Sequence, residues 1–152
     1  MYLNINEKLN LLPPDYPQEL LPSIRNEFLE SNKTIVVFDD DPTGTQTCTD
    51  VTVLTSWETE EITAELRNKP SILFILTNSR SLVEADAISL ARKIGYQVND
   101  AVQASGREVI VISRSDSTLR GHFPAEVDAL AEALQRNDAI RVLVPAFIEG
   151  GR

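Results

Sequence analysis

Thr34-Ile35-Val36-Val37-Phe38-Asp39-Asp40-Asp41-Pro42-Thr43-Gly44 runs from β-branched and aromatic residues straight into three consecutive carboxylates and a Pro/Gly turn. The apolar part predicts a buried strand over about 34–39. Three adjacent like charges repel one another, so a strand tip that carries them needs opposing groups from elsewhere in the chain, or water. Two readings stay open at this point: a solvated acidic turn, or a site for chemistry or a polar ligand.

Moving outward, the same grammar recurs. Val51–Thr55 is a β-branched second strand, followed by an acidic helix start at Glu58, Glu60 and Glu61 with Ser56 or Thr55 as the cap. Ile72–Leu76 is a continuously apolar third strand that ends in Thr77-Asn78-Ser79-Arg80. Ser81 and Glu84 have the spacing of a capping box, and Val83, Ala87, Leu90, Ile94, Val98 and Val102 recur at helical steps, which predicts a helix over about 82–104. Gly95 is a weak spot inside it. A fourth strand, 108–112, leads into Ser113-Arg114-Ser115-Asp116-Ser117-Thr118-Leu119-Arg120-Gly121-His122, and Pro124 then opens another helix. A fifth strand is expected at Ile140–Val144. Strands alternating with helices predict an α/β fold: a three-layer open parallel sheet of about five strands flanked by helices, Rossmann-like. Right-handed crossovers then bring the strand C-termini to one edge, where such sheets bind ligands. Residues 1–32, with Pro13, Pro14, Pro17 and Pro22, read as an extension packed on a domain that starts at 33.

The totals narrow the function. A chain of 152 residues, 42% of them hydrophobic, is long enough for one real core. A net charge of −9 argues against nucleic acid and anionic membrane as partners, both of which want a basic face. The single Cys48 excludes an internal disulfide, no apolar run approaches a membrane span, and the first ten residues lack the pattern of a signal peptide. A cytoplasmic location is the expectation. Ten arginines stand against four lysines, and Arg80, Arg114, Arg120 and Arg152 follow apolar runs. Guanidinium groups gathered at strand ends suit a small anionic ligand.

Asp39-x-Asp41-x-Thr43 after an apolar strand resembles the first motif of haloacid-dehalogenase-like phosphatases, with Asp39 as the nucleophile, and Leu76-Thr77-Asn78 resembles their second. No lysine stands at a strand end to serve that chemistry, and no acidic pair follows the later strands. A wider resemblance uses more of the chain. Asp40-Asp41-Pro42-Thr43-Gly44, Thr77-Asn78-Ser79-Arg80, Asp116-Ser117-Thr118-Leu119-Arg120-Gly121 and Pro145-Ala146-Phe147 with Gly151-Arg152 occur in the order found in the four-carbon acid sugar kinase family, from about Leu12 to the last residue. The resemblance implies a substrate-binding N-terminal domain, here 33–152 and incomplete. Its partner, a nucleotide-binding C-terminal domain, lies outside these residues, so the sheet is expected to be truncated. It also implies ATP with Mg²⁺ as cofactors, and phosphorylation of the terminal hydroxyl of a tetronate or 3-oxo-tetronate. The family's paired acids map onto Asp40 and Asp41, which bind sugar hydroxyls, with one of them, Asp41 by preference, as the base.

Thr43 and Gly44 permit a close backbone approach to the ligand. Arg80, Arg114 and Arg120 are candidates for its carboxylate or for the transferred phosphoryl group, and Asp116 and Ser117 for hydroxyl binding or for fixing the turn. No metal site is expected on these residues. Ser113-Arg114-Ser115 stands where many members carry a lysine, and Cys48 where several carry a histidine. The first departure keeps the charge but not the donor geometry, which points to a different subgroup or substrate. The expected partner is a small anionic sugar acid, with self-association through apolar surface left exposed. A non-catalytic binding module is the remaining alternative.

Overall fold

The computed structural model describes residues 10–13, 19–45, 48–116 and 120–144. The chain divides into two units, Met1–Ser31 and Asn32–Arg152. In the first, helix α1 spans Leu21–Glu30 with Pro22 in its opening turn. Proline is harmless there because its missing N–H would have had no partner within the helix. The helix closes at Ser31, whose Oγ and backbone N–H both donate to carbonyls of the last turn.

The second unit is a parallel sheet with helical crossovers, as the alternation predicts. Strand β1 (Lys33–Asp39) pairs with β3 (Ile72–Leu76) on one side and β4 (Glu108–Arg114) on the other, and β2 (Thr52–Leu54) pairs with the far side of β3. The order is therefore β2-β3-β1-β4. Helix α2 (Thr59–Arg67) joins β2 to β3, and α3 (Glu84–Ser105) crosses from β3 over β1 to β4. Both crossovers advance in the same direction across the sheet, so right-handedness puts both helices on the same face. Helix α4 (Ala125–Ala133) joins them there. One core results: Val36, Phe38, Leu73 and Ile75 from the strands against Ile62, Leu66, Ile94, Val98 and Leu130 from the helices.

Several local expectations are refined. Neither Ser56 nor Thr55 caps α2; Glu58 precedes the helix, and the Ser56 hydroxyl instead donates to Glu61 at 2.6 Å. Ser81 and Glu84 form no capping box. A 3-10 turn, Ser79–Ser81, intervenes, and the Ser81 hydroxyl closes it by donating to the Asn78 carbonyl. Gly95 has a packing reason. A Cβ at that position would lie 2.6 Å from the Ala133 Cβ, so the missing side chain lets α4 settle against α3.

The fifth strand at Ile140–Val144 is a correction. No ladder forms there: Ile140 is 94% and Val142 79% exposed, and Arg141 is held against Asp128 of α4. β-Propensity expresses itself only where a partner strand and a face to cover are present, and among the described residues β4 pairs with β1 alone. The terminal motif at 145–152 lies outside the described residues.

Candidate functional site

The C-terminal ends of β1, β3 and β4 lie side by side because register aligns Asp39 with Leu76 and with Arg114. The chain leaves all three strands at one level, and the polar segments that follow are stitched together. Thr77 donates both its N–H and its hydroxyl to the Asp39 carbonyl, at 2.8 and 3.0 Å. The Asp40 N–H reaches the Arg114 carbonyl, and the Arg80 N–H reaches the Asp40 carbonyl.

On that frame four carboxylates meet three guanidinium groups. Asp39 is buried beneath the turn and accepts from Arg114 Nη1 at 2.9 Å. Burial pushes its carboxyl up from the ordinary value, against the pull of Arg114. Gly44 lies over this pair, and a Cβ there would overlap both Asp39 Oδ2 and Arg114 Nη1. Gly44 is thus required by a close approach of protein to protein. Asp39, buried under this cover, offers no oxygen to an incoming phosphate ester, and so the geometry speaks against a nucleophilic phosphatase role.

Asp40 is 4% exposed and both its oxygens accept hydrogen bonds. Arg80 donates to it through Nη2 at 2.8 Å and Nε at 3.3 Å, and the Asp116 N–H and Ser115 hydroxyl add bonds at 3.2 and 3.5 Å. Arg80 Nη1 also reaches Asp41 at 2.9 Å and Asp116 at 3.2 Å. Arg80 therefore sits at the centre of three acids, and the bond to Asp40 holds it even more firmly protonated than usual. Asp116, its side chain only 3% exposed, is shared between Arg80 and Arg120.

Asp41 is the acid that reaches the surface. Its Oδ1 accepts from both the hydroxyl and the N–H of Thr43, and these bonds hold its carboxyl below the ordinary value. Asp41, Asp40, Pro42, Asn78, Arg80, Ser81 and Arg120 line an open cleft of about 460 Å³. That size falls in the usual range for small-molecule sites, roughly 300–1,000 Å³.

Of the residues singled out in the sequence, Asp40, Asp41, Arg80 and Arg120 meet at this cleft. Thr43 shapes Asp41, Gly44 and the partly exposed Arg114 pack against the buried Asp39, and Asp116 anchors two arginines. Ser117 lies outside the described residues. Sequence reasoning misses Asn78 and Ser81 as lining residues and Ser115 as a donor to Asp40. The signal for Asn78 is its place in the polar segment after β3. Among the described residues no group of three His, Cys, Asp or Glu converges to hold a metal. Asp40 and Asp41 spend oxygens on Arg80, so the donor set does not suit a divalent cation.

A family model described as sugar-binding N-terminal domain matches residues 35–152. This chain belongs to that family. The match agrees with the resemblance to four-carbon acid sugar kinases read from the motifs. The chain is also similar to a D-threonate kinase of Bordetella bronchiseptica, 41% identical over 81 residues, which is 53% of this chain and 18% of the relative. The match thus spans less than a fifth of the relative's length. No solved structure matches significantly. Among the described residues no helix is long and apolar enough to cross a membrane.

Proposed function

We propose that this domain binds a four-carbon sugar acid and presents its terminal hydroxyl to ATP held by a nucleotide-binding domain, as the substrate half of a kinase. One observation carries the reading. In a chain of a sugar-binding family, the partly exposed carboxylate of Asp41 and the guanidinium of Arg120 line the same cleft. A sugar acid has hydroxyl donors for the first and a carboxylate for the second. The relative's name, D-threonate kinase, supports a tetronate as the substrate.

Phosphoryl transfer asks a protein mainly for positioning and for stabilisation of charge, since little proton transfer is needed early in a loose transition state. An acid held ionised, such as Asp41, suits this role. It orients the attacking hydroxyl and takes its proton as the bond to phosphorus forms. Asp40 serves by fixing Arg80 through two bonds, and Arg80 in turn steadies Asp41 and Asp116. ATP and Mg²⁺ belong in this reading to the partner domain, and no step is assigned to a cation on these residues.

Calorimetric titration of the 152-residue chain with D-threonate and D-erythronate tests the reading. Saturable binding of one of them is expected, weakened about tenfold in Asp41→Asn, the size expected from losing one charge-assisted hydrogen bond. The chain should release no phosphate from p-nitrophenyl phosphate with Mg²⁺. No binding at millimolar ligand, or phosphatase turnover that Asp39→Asn abolishes, would overturn it.

A further inference from the structure

Asn78 follows β3 closely and has φ = 53° and ψ = 22°, left-handed backbone that non-glycine residues seldom adopt. Asparagine usually tolerates this region because its side chain bonds to nearby backbone. Here the amide makes no capping bond; among the described residues only the Asn78 backbone carbonyl is engaged, by the Ser81 N–H and hydroxyl. The side chain is exposed and lines the cleft beside Asp41, Arg80 and Arg120. Backbone outliers of this kind concentrate at functional sites, and this one lacks a local explanation.

The chemistry of the lining singles Asn78 out further. The aspartates are acceptors and the arginines donors, and Pro42 offers no side-chain hydrogen bond. Ser81 spends its proton on the Asn78 carbonyl. Among the described residues, the Asn78 amide is the lining side chain with both an N–H to donate and an oxygen to accept that no other described residue uses. Between an acid that takes hydroxyl protons and a guanidinium that takes a carboxylate, a group working in both directions suits the interior of a polyhydroxy acid.

We infer that Asn78 is a specificity-determining residue that hydrogen-bonds one interior oxygen, at C2 or C3, of the bound sugar acid. This rests on the sugar-acid reading of the cleft. An amide accepts a hydroxyl or a carbonyl at that carbon, whereas an aspartate in its place accepts only the hydroxyl. Asn78 thus sets tolerance for the oxidation state of that position.

Asn78→Gly tests this cleanly, because glycine keeps the left-handed backbone without strain and removes only the side chain. Calorimetry on the whole chain would compare wild type and the variant with the preferred trihydroxybutanoate and with its 2-deoxy and 3-deoxy analogues. The expected result is about a 5- to 10-fold loss of affinity for the trihydroxy acid, the worth of one neutral hydrogen bond. One deoxy analogue should show no loss, and thermal stability should be unchanged or higher. Equal losses for all three ligands would mark Asn78 as structural, and no loss for any would show that it meets no ligand. Either result overturns the inference. Failure of the wild type to bind any of the acids overturns the sugar-acid reading itself, which separates the two failures.

Discussion

Asp39 and Asp41 are two residues apart and their environments push them in opposite directions, which gives a test at the scale of single groups. Burial raises the Asp39 carboxyl, while bonds from Thr43 lower that of Asp41. A group whose folded pKa exceeds its unfolded value contributes stability that is full below the unfolded pKa and is lost as pH rises through the folded one. Wild type should therefore gain stability relative to Asp39→Asn as pH falls from 7 toward 4. For Asp41 the sign reverses: its contribution is present above the unfolded value of 3.8 and fades as pH falls through the lower folded value. Wild type should lose stability relative to Asp41→Asn below about pH 4. Thermal melts of the three proteins across pH 2.5–7 check both, and parallel curves would contradict the assignment. Gly44 is tested by the same melts. In Gly44→Ala the new methyl must displace Asp39 or Arg114, and a loss of about 1–3 kcal/mol is expected, the usual cost of overpacking.

At the scale of elements, Gly95 separates propensity from packing. In an isolated helix Gly→Ala would stabilise by about 1 kcal/mol. Here the new Cβ meets Ala133 of α4 at 2.6 Å, and overpacking costs typically 1–3 kcal/mol. Gly95→Ala should lower stability, and adding Ala133→Gly should restore most of it, with a coupling read from the double-mutant cycle in urea. Additive effects would mean that the two helices do not meet there. The same contrast explains what is legible in the sequence. Strand β3 is legible to the residue, since an unbroken Ile72–Leu76 run needs only local pattern. So is the gathering of polar segments at one edge, which follows from alternation and handedness. The partners within that edge are not legible. Arg80 looks like an anion receptor in sequence, but three carboxylates from two separate segments, Asp40 and Asp41 after β1 and Asp116 after β4, converge on it in space, and nothing in their spacing announces that. Asp39 and Asp41 likewise look alike in the chain. Only the packing of Gly44 buries one and leaves the other in the cleft.

For the whole molecule, the outer edge of the sheet decides solution behaviour. Among the described residues β4 has no neighbour beyond β1, and on the face away from the helices Ile110 and Ile112 are each 44% exposed. Ile140, Val142, Leu143 and Val144 are exposed as well, in a segment without ladder bonds. An open strand edge beside apolar side chains is a template for further strand pairing. In this chain of 152 residues the occupant most readily at hand is a second copy, which carries the same edge and the same apolar segment. Light scattering behind size exclusion should show association that grows with concentration. Ile112→Lys puts a charge on the edge strand, a standing natural defence against such pairing, and should shift the chain toward monomer. It lies in β4 before Arg114 and outside the residues that line the cleft. Sugar-acid affinity should therefore stay within about twofold, as expected of a surface change worth under 0.5 kcal/mol. Association that persists unchanged in Ile112→Lys would place the contact elsewhere. Loss of binding together with association would mean that the cleft needs the second copy.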